Sequence, residues 1–280
     1  MLQEAARVLQ NLSAWDELSL SECEDMARFI ATSLPPAFHF ERIETYEVGR
    51  QRHHMALFEW KGSSQQFSSQ FVLIPGGTVT LGHDPTQSHA PDEQFIRERL
   101  EFLEDGEVER EILPTDFAAF SAYVEEKLLP PRTVTLQPFL LEAVAQEAAL
   151  LLPPPCMTYR RFNMFGLKQN TFKSFLSDPY RRWSSLNSFD RGRYHVLPHR
   201  HVVAFLKQQG FRLPSSDEWE YACAAGSRTL FYWGDWEFLT AENTPVPYAF
   251  PNAFGLSIAN NPYHWEYCSD PNVMRGGDGG

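Results

Sequence analysis

The feature that most constrains the fold is the segment FRLPSSDEWEYACAAG, which runs from Phe211 to Gly226. A serine at 215 or 216 can cap a helix whose first turn carries two acids, which suits the positive end of the helix dipole. Trp219, Ala222 and Cys223 then recur at helical spacing and predict a face that packs on a core. PNAFGL, at 251–256, and WEYCSD, at 265–270, follow this segment in the chain.

These blocks resemble the formylglycine-generating enzyme (sulfatase-modifying factor) family, as do FVLIPGGTVTLG at 71–82 and MRGG at 274–277. The resemblance implies an α+β fold of the C-type-lectin-like type. It also implies two catalytic cysteines just beyond the RGG block, whereas the printed sequence stops at Gly280. We therefore expect the family scaffold without the thiol pair that holds copper and activates oxygen.

Periodicity divides the chain into two predicted regions. Residues 1–65 are expected to form an N-terminal extension, because helical spacing up to Pro35 gives way to a hairpin-like alternation from Phe38 to Trp60. Residues 66–280 are expected to form the lectin-like domain, with an acidic helical insertion at about 84–131.

Two further elements are predicted inside the lectin-like domain. The segment RTVTLQPFLL, at 132–141, is expected to form a strand. A short helix is expected in HRHVVAFLKQQG, closed by Gly210. Its predicted apolar face consists of Val202, Val203, Phe205 and Leu206.

Composition excludes several classes of function. A net charge of −12 argues against nucleic acid or an anionic membrane as partner, since both attract clustered cationic charge. No apolar run is long enough to span a bilayer, and the N-terminus lacks the pattern of a signal peptide, so a cytoplasmic protein is expected. The four cysteines lack CxxC spacing, and most are expected to be buried thiols.

The resemblance also implies a structural calcium ion between the PNAFGL and WEYC blocks, where the family has a Gly-Asn turn. Here the connecting SIANNPYH is one residue longer and lacks the glycine. Carried over by position, Glu266 is the best-matched ligand, and Asn260 or Asn261 would supply another oxygen. The alternative is a buried Glu266 that accepts hydrogen bonds from amides of the turn.

Three histidines suggest a different metal. His195, His199 and His201 have an H-x3-H-x-H spacing, and imidazoles on one short loop and helix start can converge on a transition metal. No carboxylate stands beside them at a fitting spacing. The alternative interpretation is a solvated surface cluster.

The leading functional hypothesis is a non-catalytic module that binds a protein or peptide, or assembles with one. Its partner would cover an exposed sheet edge. An alternative is a metal- and oxygen-dependent oxidase of the same superfamily, of the formylglycine-generating or non-haem iron type, and a third is a degenerate member kept as a structural subunit. Four aromatic residues are the predicted ligand-binding anchors: Trp183, Trp236, Tyr248 and Tyr263.

Overall fold

A computed structural model describes residues 2–62, 68–82, 128–146, 198–229, 232, 250–260 and 264–276. The chain divides into two compact units. The first comprises residues 1–145, 215–266 and 275–280, and the second comprises residues 146–214 and 267–274. Helices and antiparallel strands both occur, so the predicted α+β class is confirmed. Most of the predicted insertion, residues 83–127, lies outside the described residues.

Three helices open the chain: α1 (Leu2–Leu9), α2 (Leu12–Asp16) and α3 (Leu20–Ala31). Ser19 begins α3 through a reciprocal pair of hydrogen bonds. The Glu22 N–H donates to the Ser19 hydroxyl at 3.3 Å, and the Ser19 N–H donates to the Glu22 carboxylate at 2.8 Å. This capping box satisfies donors that a helix start leaves unpaired. The predicted helical start of the chain is confirmed.

The strands among the described residues form three small sheets. In chain order they are β1 (Phe38–Val48), β2 (Gln51–Lys61), β3 (Ser68–Ile74), β4 (Gly77–Leu81), β5 (Arg132–Leu136), β6 (Phe139–Glu142), β7 (Glu266–Tyr267) and β8 (Met274–Arg275). The main sheet has the order β1-β2-β3-β6, β4 pairs with β5, and β7 pairs with β8.

The predicted N-terminal hairpin is confirmed, and it belongs to the main sheet. Strands β1 and β2 pair from Val48↔Gln51 to Phe38↔Trp60. On its other side β2 pairs with β3, from Leu57↔Val72 to Lys61↔Ser68. The predicted boundary at residue 65 therefore falls between two paired strands of the first unit.

The predicted single strand at 132–141 is wrong, because the structure breaks it into β5 and β6. β5 pairs with β4, whereas β6 pairs with β3 in the main sheet. The break falls at Gln137 and Pro138. Proline has no N–H to donate to a ladder, so strand pairing stops there and the chain can change sheets.

The turn between β3 and β4 needs its glycines. The Gly76 N–H donates to the Leu9 carbonyl at 2.7 Å, and a side chain at Gly76 would overlap the Leu136 carbonyl oxygen. Gly77 has φ +129°, a conformation that residues with a side chain rarely adopt. The two glycines let the end of α1 and the end of β5 approach the turn closely.

The core of the first unit lies around β2. Four successive residues of this strand, Met55 to Phe58, are fully buried, so the strand is covered on both faces. Helix α3 packs against β1 and β2 and contributes Cys23 and Ala27 to the core. Trp15 of α2 is fully buried, and its indole N–H donates to the His54 carbonyl at 2.6 Å.

Two later helices follow the predicted pattern in part. α4 spans His199–Gln208 and is followed by Gly210 with φ +82°. Val202 is buried as predicted, but Val203 is 37% exposed. Successive helical residues are about 100° apart around the axis, which turns Val203 away from the packed face. α5 spans Ser216–Ala224 and lies in the first unit.

Candidate functional site

The candidate site in the first unit is built on α5. Ser215 caps this helix, because its hydroxyl accepts from the Glu218 N–H at 3.1 Å and the Glu218 carboxylate accepts from the Ser215 N–H at 2.7 Å. The capping box fixes where α5 begins, so the positions of the following side chains are set. Trp219 and Ala222 face inward as predicted, whereas Cys223 is only partly buried.

Asn252 of the PNAFGL block ends α5. Its amide nitrogen donates to the carbonyls of Ala222 and Cys223 at 2.7 and 3.1 Å. Its amide oxygen accepts from the backbone N–H groups of Phe254 and Leu256 at 3.0 and 3.1 Å. Asn252 is fully buried, and these four bonds satisfy its side chain. The block therefore joins the end of α5 to the turn that follows it, a role that the sequence analysis missed.

Glu266 connects α5 to the turn before β7. The Trp219 indole N–H donates to one carboxylate oxygen at 2.7 Å, and the Ala259 N–H donates to the other at 2.8 Å. Burial raises the pKa of Glu266, and the two hydrogen bonds offset this only in part. Ala259 has φ 50°, a left-handed conformation that favours glycine, the residue that the resemblance expects in this turn.

This geometry matches the alternative that the sequence left open, a glutamate bonded to amides of the turn. Asn260 follows Ala259 directly, and Asn261 lies outside the described residues. Within the part of the chain that the structure describes, no three His, Cys, Asp or Glu side chains form a group that could hold a metal ion. Calcium at Glu266 and Asn260 stays a prediction.

Replacing Glu266 by glutamine is expected to change how stability depends on pH. Because the folded pKa is raised, the native state keeps this proton at pH values where the unfolded chain has lost it. The stabilisation is therefore fully present below the unfolded pKa, about 4.3, and is lost as the pH rises through the folded pKa. Urea unfolding of wild type and Glu266→Gln at several pH values above about 4 measures the difference in slope.

The matched control for that experiment is Glu24→Gln. Glu24 pairs with Arg28 on the exposed side of α3, so this substitution is expected to leave the slope unchanged. A Glu266→Gln variant with the same pH slope as the wild type would contradict the prediction.

Glu220 lies at the centre of an ionic cluster on the same helix. Its carboxylate accepts from Arg132 at 2.7 and 3.2 Å, from Arg275 at 3.0 Å and from the Gly82 N–H at 2.8 Å. Arg132 also donates to Asp217 at 2.6 Å. The Glu220 carboxylate raises the pKa of Arg132, so this guanidinium stays charged. The cluster joins β4, β5 and β8 to α5, and the sequence analysis missed it.

The predicted histidine cluster is placed only in part. His195 lies outside the described residues, and His199 and His201 are two positions apart on α4, about 200° around the helix. The His199 Nε2 lies 2.8 Å from the Cys268 carbonyl oxygen, and its ring meets the Tyr267 ring edge-on. Because this nitrogen faces a carbonyl, it would have to give up that bond to bind a metal. The transition-metal site stays a prediction.

Cys23 and Cys223 are free thiols in packed surroundings. Burial, followed by the charges of Asp16 and Glu22, raises the pKa of Cys23 to about 11. Burial is also the first cause that raises the pKa of Cys223 to about 12. Cys268 is buried as well, and Cys156 lies outside the described residues.

The predicted aromatic anchors are not placed, because Trp183, Trp236, Tyr248 and Tyr263 all lie outside the described residues. Two other aromatic side chains of the first unit reach solvent. Trp265 is 54% exposed and Phe250 is 53% exposed. Neither was predicted, because a single sequence does not distinguish a core aromatic residue from an exposed one.

Comparison with known proteins identifies the scaffold. A family model for the sulfatase-modifying factor enzyme 1-like domain matches residues 59–256, from β2 to the end of the PNAFGL block. No curated protein and no solved structure matches the chain. Among the described residues no helix is long and apolar enough to cross a membrane. The matched family has a C-type-lectin-like fold, which agrees with the helices and antiparallel sheets described above. The chain therefore belongs to the sulfatase-modifying factor enzyme 1-like family.

Proposed function

We propose that this chain is a non-catalytic module that binds a protein or peptide on its formylglycine-generating-enzyme-like scaffold. The observation that carries the proposal is that the thiols of Cys23 and Cys223 have raised pKa values. Oxidation of the family type needs thiolates, which form where positive charge lowers the thiol pKa. Cys23 and Cys223 show the opposite, because burial raises the pKa of both. These two thiols are suited to packing and not to copper chemistry.

Exposed aromatic residues support the binding half of the proposal. Trp265 directly precedes Glu266, whose carboxylate is bonded to Trp219 and Ala259, so the backbone that carries the indole is anchored. The Phe250 carbonyl accepts from the Tyr232 hydroxyl at 3.4 Å. Large aromatic side chains on an anchored backbone are common interface anchors, since they contribute contact area with little loss of freedom. The net charge of −12 favours a protein or peptide over a nucleic acid.

The proposal includes a cytoplasmic location. Free thiols persist in reducing compartments, and Cys23 and Cys223 form no disulfide.

A displayed library of random peptides, selected on the immobilised chain, tests the proposal. Peptides enriched on the wild type are expected to bind at least about tenfold more weakly to Trp265→Ala or Phe250→Ala, since a buried interface aromatic contributes well over 1 kcal/mol. Leu20→Ala is the matched control, because Leu20 is also 53% exposed but lies on α3. Peptides that lose binding equally on all three variants would contradict an aromatic binding surface.

The oxidase alternative has its own readout. The chain is loaded with copper or with iron and given a cysteine-containing peptide, oxygen and a reductant, and peptide aldehyde is measured by mass spectrometry. Under the proposal no metal-dependent aldehyde forms. Repeated turnover by the copper-loaded or iron-loaded chain would replace the proposal with the metal- and oxygen-dependent oxidase.

A further inference from the structure

A buried histidine connects the N-terminal helices to the end of α5. His53 of β2 is only 5% exposed. Its Nδ1 lies 2.9 and 3.0 Å from the two carboxylate oxygens of Asp16, the last residue of α2. Its Nε2 lies 3.2 Å from the carbonyl oxygen of Ala225, which ends α5. Both ring nitrogens of this buried imidazole therefore face oxygen atoms.

The protonation of the imidazole follows from what these oxygens can do. A carbonyl oxygen only accepts hydrogen bonds, so the Nε2 atom must carry a proton to bond to Ala225. An ionised carboxylate also only accepts, and the Nδ1 atom lies almost equally close to both Asp16 oxygens, as a donor between two acceptors does. A neutral imidazole has a single N–H and cannot donate at both nitrogens. The geometry therefore favours a doubly protonated, positively charged His53.

The backbone after α5 leaves room for this contact. Ala225 and Gly226 both have left-handed conformations, with φ 48° and φ 80°. A Cβ on Gly226 would lie 3.3 Å from the His53 Nε2, so a side chain there would crowd the ring. The His53 ring also lies 5.2 Å from the Phe254 ring of the PNAFGL block. The imidazole is thus packed among α2, the end of α5 and that block.

The other titratable groups around His53 are uncharged near neutral pH. They are the phenol of Tyr46, which lies opposite His53 in the β1–β2 ladder, the phenol of Tyr221 in α5 and the thiol of Cys23 in α3. Burial raises the pKa of Tyr46 to about 12 and that of Cys23 to about 11, and it also raises the pKa of Tyr221. Of the groups that these elements turn towards His53, Asp16 supplies the charge.

The charged side chains of β1 have partners of their own. Arg42 pairs with Glu41 and Glu44, and Glu47 lies 3.8 Å from Arg52 of β2. All of these side chains are exposed, so solvent screens their charges. The buried imidazole therefore depends on Asp16.

The contact crosses the boundary of the family match. Asp16 and His53 precede residue 59, whereas Ala225 lies inside the matched range of 59–256. A histidine in water gives up one of its two protons near about pH 6.5. If the buried ring lost one, a bare nitrogen would face an oxygen, and one of its two contacts would become repulsive. The N-terminal helices are thus attached to the family scaffold through a group that can change its charge.

We propose that His53 is a pH-sensitive switch, which holds the end of α2 against the end of α5 while both ring nitrogens are protonated and weakens this attachment when one proton leaves. The attached state binds one proton more than the detached state. The attachment is therefore strongest below about pH 6.5 and weakens as the pH rises above it. The switch is independent of what the protein binds.

Hydrogen exchange of the α2 amides tests the proposal between about pH 6 and about pH 9. The protection factor, which corrects for the intrinsic exchange rate, is expected to fall by up to about tenfold per pH unit, because detachment releases one proton. His53→Gln is expected to remove this dependence, because glutamine keeps an N–H donor but does not titrate. Both proteins keep Glu266, so its own response to pH cancels in the comparison. An equal fall in the two proteins overturns the proposal.

The matched control is His54→Gln. His54 is the next residue of β2, and its Nδ1 lies 2.7 Å from the Thr45 hydroxyl, which can donate as well as accept. A neutral ring is satisfied there, so this variant is expected to keep the pH dependence of the wild type. Loss of the dependence in His54→Gln would assign it to the other histidine and overturn the proposal.

Nitrogen NMR of the wild-type chain measures the protonation of His53 directly. A bonded proton is expected on each of its ring nitrogens at about pH 6, and on only one of them once α2 has lost its protection. A His53 ring nitrogen without a proton at about pH 6 overturns the proposal, even if His53→Gln fails to fold.

Discussion

Trp15→Ala is expected to lower the free energy of unfolding by about 3–5 kcal/mol, the usual range for removing a large aromatic side chain from a core. Trp15 is fully buried, and its indole N–H donates to the His54 carbonyl at 2.6 Å. The substitution leaves a cavity beside β2 and takes a donor from a backbone carbonyl. Because native domains are stable by only about 5–15 kcal/mol, the variant would be marginal. Urea or guanidinium unfolding measures the loss.

Two variants separate the causes of that loss. Trp15→Phe keeps an aromatic ring but removes the N–H donor, so its loss is expected to lie well below that of Trp15→Ala. Leu20→Ala removes an apolar side chain that is half exposed on α3, and a surface change of this kind costs about 0.5 kcal/mol or less. If Trp15→Ala costs no more than Leu20→Ala, the N-terminal helices are not part of the cooperative fold.

A large effect at Trp15 would show that the family match and the folding unit have different boundaries. The match begins at residue 59, near the end of β2. The described main sheet nevertheless begins with β1, and β2 supplies four successive fully buried residues to its core. A chain cut at the start of the match would lose β1 and the four buried residues of β2, together with two of the five residue pairs that join β2 to β3. Binding experiments therefore need the N-terminal segment.

Sequence reasoning succeeded where the signal is local. Ser215, one of the two serines considered as the cap of α5, bonds to a residue three positions on, and this spacing is visible in the sequence. The hairpin of β1 and β2 is also a short-range pattern, because it shows as alternating apolar residues on either side of a short turn. The Pro138 break was visible too, but the alternation around it was treated as one strand.

The side-chain contacts that the sequence analysis did not predict join residues that are far apart in the chain. Glu220 is 138 residues from Gly82, 88 from Arg132 and 55 from Arg275. No local pattern predicts such hydrogen bonds, because only the pairing of strands brings these donors to the Glu220 carboxylate. The same holds for Asp16 and His53, which are 37 residues apart. By contrast, the bond between Glu266 and the Ala259 amide spans only seven residues, and a bond of this kind was among the alternatives considered.

Glu220→Ala is expected to lower the free energy of unfolding by about 2–4 kcal/mol, because it leaves partly buried charges without their partner. Arg132 and Arg275 both donate to Glu220, and their side chains are mostly buried. Arg132 keeps its bond to Asp217, and some solvent reaches each guanidinium, so the expected loss lies below that of a fully buried pair. The Gly82 N–H also loses its acceptor. Chemical unfolding of the purified variant measures the effect.

A comparison of three variants distinguishes charge from packing at Glu220. Glu220→Gln keeps the shape and one acceptor oxygen, so its loss should fall between that of Glu220→Ala and that of the exposed control. The control is Glu24→Ala, whose pair with Arg28 is open to solvent and contributes about 0.5 kcal/mol or less. A double-mutant cycle with Arg132→Met should recover part of the Glu220→Ala loss, since the double variant no longer contains an Arg132 charge that has lost Glu220, although Arg275 still lacks this partner. Strictly additive losses would mean that the carboxylate acts through the Gly82 amide and Arg275, and that the ion pair with Arg132 contributes nothing measurable.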